Sequence, residues 1–219
     1  MEFFITGVDT DIGKTFVTKG LALSFEKRGK RVGVFKPLQS SAIKTDNGYL
    51  APDLEAIKEL SKNIETKCSY IFEGDVSPAL AARLSGVKID LKKIKTDFQE
   101  FSAKNDVTLV EGAGGLLAPA TDEYLCADLI KDLDVPIIIV TVPFLGRLNH
   151  TLLTINYAKS AGINIKGIII NKVPQNTSDL ATINFIDELK RYTDVEILGE
   201  IKEISSEKIV NEFFKIKIY

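Results

Sequence analysis

Residues 7–15 read Gly7-Val8-Asp9-Thr10-Asp11-Ile12-Gly13-Lys14-Thr15, directly after the apolar run Phe3-Phe4-Ile5. A strand, a tight glycine-bounded loop and a helix start are what a phosphate-binding P-loop requires. Backbone N–H groups and the positive helix end face the phosphates, the lysine reaches the outer ones, and the hydroxyl of Thr15 can ligate Mg²⁺. A lysine at a helix N-terminus is unfavourable unless an anion is present, which argues against a chance turn. The spacing is a variant: five residues separate Gly7 from Gly13, where the usual pattern has four. Downstream, Val17, Leu21, Ser24/Phe25 and Arg28 recur at intervals of three and four, and Gly29 supplies a stop, so the loop opens an amphipathic helix.

Working outward, apolar runs alternate with helical patterns to the end of the chain. The runs at 3–6, 32–35, 107–110, 137–142, 167–170 and 196–198 read as strands. Segments 14–28, 54–62, 78–85, 91–103, 149–160 and 178–192 read as helices. Several strands are continuous Val/Ile runs without polar alternation, as parallel strands buried on both faces require. The expected fold is a three-layer α/β/α domain with a mostly parallel central sheet, P-loop NTPase-like, occupying residues 1–219 as one unit.

In such sheets ligands bind beyond the carboxyl ends of the strands. Glu111 follows Leu109-Val110 and precedes Gly112-Ala113-Gly114-Gly115. A carboxylate there can hold Mg²⁺ or its water shell, or pair with a lysine, and the adjacent P-loop favours the metal. Those glycines lack dinucleotide-binding spacing and suit a loop that approaches phosphate or substrate closely. Lys36 stands at the end of the second run, and Pro37 holds it out of the helical region. Its ammonium is expected to project from the sheet edge, toward a ligand or simply into solvent. Asp53, after Pro52, is either a helix-start carboxylate or a second metal ligand. His150 is the sole histidine and reads as a local structural or substrate-orienting group rather than a catalytic one.

Bulk properties narrow the classes. The 219 residues are 45% hydrophobic and 26% charged with net charge −2, an ordinary soluble composition that disfavours nucleic acid as a partner. The apolar run from Val135 to Val142 is interrupted by Pro136 and is too short to span a bilayer. The N-terminus does not read as a signal peptide. Cys68 and Cys126 lack Cys-x-x-Cys spacing and fit reduced thiols in a cytoplasmic protein.

Taken together, segments 6–15, Lys36-Pro37-Leu38-Gln39-Ser40, 110–115, 145–151 and Gly199-Glu200-Ile201 resemble the dethiobiotin synthetase family, across about residues 3–203. The longer P-loop is the form that family uses. The resemblance implies an ATP- and Mg²⁺-dependent cyclo-ligase. It joins CO₂ to 7,8-diaminononanoate through a carbamate and a carbamic–phosphoric anhydride, releasing ADP and phosphate. It implies catalytic roles for Lys36 and Lys14, and metal ligation by Thr15, Asp53 and Glu111. Nucleotide contacts would come from Asp11, Ile12, Gly13, Lys14, Thr15, Phe16, Asp53, Glu111, Gly112, Ala113, Gly114, Asn171, Lys172, Ile201, Lys202 and Glu203. Ser40 would contact substrate, as would Asn149 from the partner subunit of a homodimer. Ser41 replaces the family's usual glycine and Lys202 its usual proline, the latter predicting a looser base pocket. The rival reading is a switch ATPase of the cell-division or plasmid-partition type, which carries an additional lysine early in the loop; residues 7–12 contain none.

Overall fold

The computed structural model describes residues 1–46, 48–203, 213 and 215–218. Seven strands form one parallel sheet: β1 (Glu2–Gly7), β2 (Val32–Gln39), β5 (Glu65–Ile71), β6 (Val107–Glu111), β7 (Ile137–Thr141), β8 (Ile165–Val173) and β9 (Ile197–Lys202). Their order is β5-β2-β6-β1-β7-β8-β9, and every pairing is parallel. A small antiparallel hairpin, β3 (Ile43–Thr45) with β4 (Gly48–Leu50), stands apart from it.

The sequence dictates two hydrophobic layers. In β1, Phe3 and Ile5 face one side and Phe4 the other; in β7, Ile138 and Val140 oppose Ile137 and Ile139. Neither face of these strands meets water, which is why they carry no polar alternation. One layer packs under α1 (Lys14–Lys27) and α2 (Pro52–Lys58). The other packs under α3 (Pro78–Leu84), α4 (Leu91–Ser102), α5 (Cys126–Leu133), α6 (Arg147–Ser160) and α7 (Leu180–Tyr192). This is the expected three-layer α/β/α architecture.

Two main-sheet and helix elements differ from the sequence expectation. β5 was not among the expected strands because Glu65-Thr66-Lys67-Cys68-Ser69-Tyr70-Ile71 contains little apolar continuity. It is an edge strand, half-buried or exposed throughout, and needs none. Helix α5 also went unread. Its start is fixed by Asp128, whose carboxylate accepts the Leu125 N–H at 3.0 Å, and it buries Cys126, Ala127, Leu129, Ile130 and Leu133. The β3–β4 hairpin, exposed along both strands, likewise lacks an apolar signature.

β2 runs on through Pro37 to Gln39, so Lys36 is inside the strand, not at its end. Pairing of β2 with β6 stops at Phe35↔Val110, while pairing with β5 continues to Gln39↔Ile71. Beyond Phe35 the β6 side of β2 is therefore free of ladder, and a proline lacking its N–H is tolerated there. That gap, beside the end of the central strand β1, is where the site lies.

Candidate active site

The loop from Gly7 to Thr15 turns tightly. Asp11 has φ +53° and Gly13 φ +88°, the left-handed region that glycine enters without strain. A Cβ on Gly13 would also lie 2.2 Å from Asn171 Nδ2, so glycine is required twice over. Two residues at the end of β8 hold the loop: Asn171 Nδ2 donates to the Ile12 carbonyl at 2.9 Å, and Lys172 Nζ to the Asp11 carbonyl at 2.8 Å. Gly13 caps α1 without a side-chain bond, leaving the first-turn N–H groups, from Lys14 to Phe16, to an anion. Lys14 Nζ rests on the Asp9 carbonyl at 3.1 Å. Burial and the nearby charge of Lys36 push its pKa below the ordinary lysine value, a cost that a bound polyphosphate would remove.

Beneath the loop is a charged floor. Lys36, 3% exposed, lies 2.6 Å from Asp53 Oδ2 and 2.9 Å from Glu111 Oε1. Burial opposes its charge, but the two carboxylates outweigh burial and hold the ammonium well above its usual pKa. Asp53 experiences the reverse: burial raises it, and Lys36 with Thr15 carries it below the carboxylate range. Lys36 does not project from the sheet edge as the proline reading suggested; it is enclosed between an α2 carboxylate and a β6 carboxylate. Asp53 is the helix-start carboxylate of α2 and also bonds the Thr15 hydroxyl.

Thr15 Oγ1 lies 2.9 Å from Asp53 Oδ1 and 2.8 Å from Glu111 Oε1. One hydroxyl proton can serve only one of these oxygens. Glu111 Oε2 is buried with no protein partner. Three hard oxygen donors converging with spare acceptor capacity fit a magnesium ion, which needs one or two carboxylates and keeps its waters and substrate phosphates as remaining ligands.

Lys14, Thr15, Lys36, Ser40, Asp53, Glu111, Gly112, Ala113 and Gly114 line one pocket together with Asp11, Gly13 and Gln39. Sequence reading missed Gln39, which slips onto the Lys36 side because strand alternation breaks around Pro37. Its amide donates to the Ser40 carbonyl at 2.5 Å. Ser41 adopts φ +59°, a conformation that glycine would take freely, and is held by bonds to the Gly74 carbonyl and the Asp75 carboxylate.

The residues expected on the base side lie outside this pocket. Ile201 is fully buried, while Lys202 and Glu203 are exposed at the end of edge strand β9; the Glu203 N–H donates to the Val173 carbonyl at 2.9 Å. Asn149 is exposed in the first turn of α6 and is not among the residues of the Lys36 pocket. His150 Nδ1 sits 2.9 Å from Arg147 Nη1, and Arg147 pairs with Asp9, a local structural setting. Asp9 and His150 border a second, more apolar cavity lined also by Gly7, Val8, Gly115, Leu116, Leu153 and Tyr157. Burial pushes the Cys68 thiol up to about 12 and the Cys126 thiol up to about 11, which disfavours thiolate formation.

Comparison with known proteins now bears on this geometry. A family model described as an AAA domain matches residues 1–208. The ATP-dependent dethiobiotin synthetase of Anoxybacillus flavithermus is 38% identical over 208 residues, covering 93% of this chain and 92% of that protein. The corresponding enzyme of Thermodesulfovibrio yellowstonii is 36% identical, covering 94% and 92%. Among solved structures, the septum site-determining protein MinD of Pyrococcus horikoshii with Mg-ADP superposes with TM-score 0.60 at 18% identity, covering 98% of this chain and 94% of that one. A ParA family ATPase of Chlorobium tepidum gives 0.59 at 14%, covering 99% and 90%. The structural likenesses identify the P-loop NTPase fold; the sequence relatives are far more specific. On that ground the chain belongs to the ATP-dependent dethiobiotin synthetase family.

Proposed function

We propose that the chain, acting as a single domain over residues 1–219, closes the cyclic urea of dethiobiotin from 7,8-diaminononanoate, CO₂ and ATP. The observation that carries this is the buried Lys36, clamped between Asp53 and Glu111 directly below Lys14 and Thr15. A switch ATPase needs a nucleotide sensor; it has no need of a buried cation set beyond the phosphates, where an acyl phosphate would form.

The chemistry has three steps. One substrate amine adds to CO₂ and loses a proton, giving a carbamate. A carbamate oxygen attacks the γ-phosphorus of ATP and ADP leaves, giving the mixed anhydride. The neighbouring amine then attacks the carbonyl carbon, the C–O bond to phosphate breaks, and phosphate departs as the attacking nitrogen releases a proton. The protein's contribution is to hold the partners in line and offset charge on the transferring group. Lys14 and the first-turn N–H groups of α1 take the phosphates. Lys36 offsets negative charge on the carbamate and the phosphoryl oxygens. Thr15, Asp53 and Glu111 would hold Mg²⁺, which when bound neutralises phosphate charge. Gly112, Ala113 and Gly114 let backbone approach closely, and Ser40 contacts the diamine end. Phe16, Asn171, Lys172 and Ile201–Glu203 border the nucleoside.

A homodimer suits the surface around the second cavity. Leu117 and Leu153 are large exposed apolar side chains lining it, and Phe144 and Leu145, just before α6, are exposed as well, apolar surface that favours coverage by another copy. Asn149 from that copy would face the substrate's tail. The enzyme is then a cytoplasmic, small-molecule ligase with no nucleic-acid or membrane partner. Among the described residues no helix is long and apolar enough to cross a membrane.

The test is phosphate release from ATP, assayed with and without diaminononanoate and bicarbonate. Release that requires both compounds is expected. Turnover indifferent to them but stimulated by a protein or lipid would sink the proposal in favour of the switch ATPase.

A further inference from the structure

We propose that the C-terminal residues Phe213, Ile216, Lys217 and Ile218 form a strap that positions the nucleoside wall of the site, so that nucleotide affinity depends on side chains that never touch the nucleotide. This rests on the reading that Phe16 and Ile201–Glu203 border the nucleoside.

The strap joins the two elements that carry that wall. On α1, Gly20 occupies mid-helix, where glycine is a poor choice by propensity. The reason is steric. A Cβ at Gly20 would stand 2.2 Å from two ring carbons of Phe213. Phe213 is 1% exposed, and its carbonyl accepts a hydrogen bond from Ser24 Oγ one turn further on, at 3.4 Å. On β9, a Cβ at Gly199 would stand 2.3 Å from Ile216 Cδ1. The Lys217 N–H donates to the Leu198 carbonyl at 3.0 Å, on the outward side of the sheet's edge strand. Two glycines on separate elements are thus shaped to two strap side chains.

The strap also reaches the wall itself. The Phe213 and Phe16 rings lie 6.0 Å apart, tilted by 60°, a favourable aromatic arrangement. Phe16 follows Thr15 directly, and its Cβ would be 3.7 Å from a Cβ placed on Gly13. Ile12 of the P-loop and Ile201 of β9 belong to the same buried cluster as Phe213, Ile216 and Ile218. Displacing the strap therefore loosens Phe16 and the end of β9 together, while the charged floor of Lys36, Asp53 and Glu111 keeps its own ion pairs.

The experiment compares two probes on the full chain: ADP, which reads phosphate and nucleoside contacts, and inorganic tripolyphosphate, which reads phosphate contacts alone. Phe213→Leu and Gly20→Ala are expected to raise the Kd for ADP about tenfold, the equilibrium consequence of a modest loss of pre-organisation. Tripolyphosphate affinity should stay unchanged, and ATP should show a raised KM with kcat at saturation preserved. Combining Gly20→Ala with Phe213→Leu should cost less than the sum of the two, because the smaller side chain leaves room for the new methyl. Thermal melting identifies the folded variants, and Phe213→Leu carries the test where Gly20→Ala does not fold. Equal weakening toward both probes, or no weakening in folded variants, overturns the strap's positioning role. Wild-type protein that binds ADP no more tightly than tripolyphosphate would instead remove the nucleoside wall on which the inference rests.

Discussion

On the proposed reading, the centre of the sheet and its β9 edge would meet the same ligand in opposite ways. At the centre, Lys14, Thr15, Lys36, Asp53 and Glu111 converge from a loop, an inner strand, a short helix and β6, each pinned by a hydrogen bond or an ion pair. At the edge, Lys202 and Glu203 are exposed, and their strand is held by β8 on one side and a few residues of chain terminus on the other. Reaction chemistry demands fixed positions in low dielectric, where misplacement by a fraction of an ångström is costly. Discrimination between bases demands less. The lesson is that charge offset belongs to strands whose neighbours lie on both sides, while selectivity is left to the periphery.

The largest expected effect strikes the centre. Lys36→Ala should lower turnover about 10³-fold, the upper range for removing one preorganised donor from a developing charge, while the Kd for ADP moves far less. Steady-state kinetics beside a nucleotide titration checks this; unchanged turnover would end the catalytic role of Lys36. A smaller effect is expected at the edge. The Glu203 N–H faces β8 and the Leu198 carbonyl faces outward toward Lys217, so alternation directs the Lys202 N–H outward, where proline is tolerated. Lys202→Pro should therefore fold, stiffen the pocket, and raise the preference for ATP over GTP by about threefold, within what pocket contacts of this kind supply. A ratio of kcat/KM values that does not move would show the edge to be indifferent to this residue. The smallest effect concerns Ser41. Ser41→Gly relieves a left-handed backbone but gives up a bond to Asp75, so stability should change by less than about 1 kcal/mol. Denaturant unfolding reads it, and a large loss would mean that the Asp75 bond organises the substrate loop.

The central half of this comparison was largely legible in sequence, and the peripheral half was not. A P-loop between an apolar strand and an amphipathic helix leaves few alternatives, and continuous Val/Ile runs announce buried parallel strands. Glu111 could be placed because a carboxylate at the end of such a run has few other reasons to be there. Lys36 was found but misplaced. Pro37 argues for a strand end only if both sides of β2 must pair, and that condition fails one residue beyond Phe35. Edge elements carry weak patterns because half their surface is solvated, which hid β5. The pairing of Gly20 with Phe213 spans most of the chain, and a glycine in a helix carries no address for the residue that fills it.

The strand order has a consequence for how the chain comes into being. β1 is made first but lies in the middle, and its neighbours are β6 and β7. Phe3 is matched to Leu109, a separation of 109 − 3 = 106 residues. At about 5–20 residues per second, translation leaves this apolar strand without its partner for roughly 5–20 s. During that interval Phe3, Phe4 and Ile5 are what a nascent-chain chaperone would meet, and synonymous codons that slow the ribosome before β6 should lengthen the exposure. The loop from Gly7 to Thr15 is thus synthesised ahead of the rest of the proposed site yet, needing β8 to fix Asp11 and Ile12, takes its shape late.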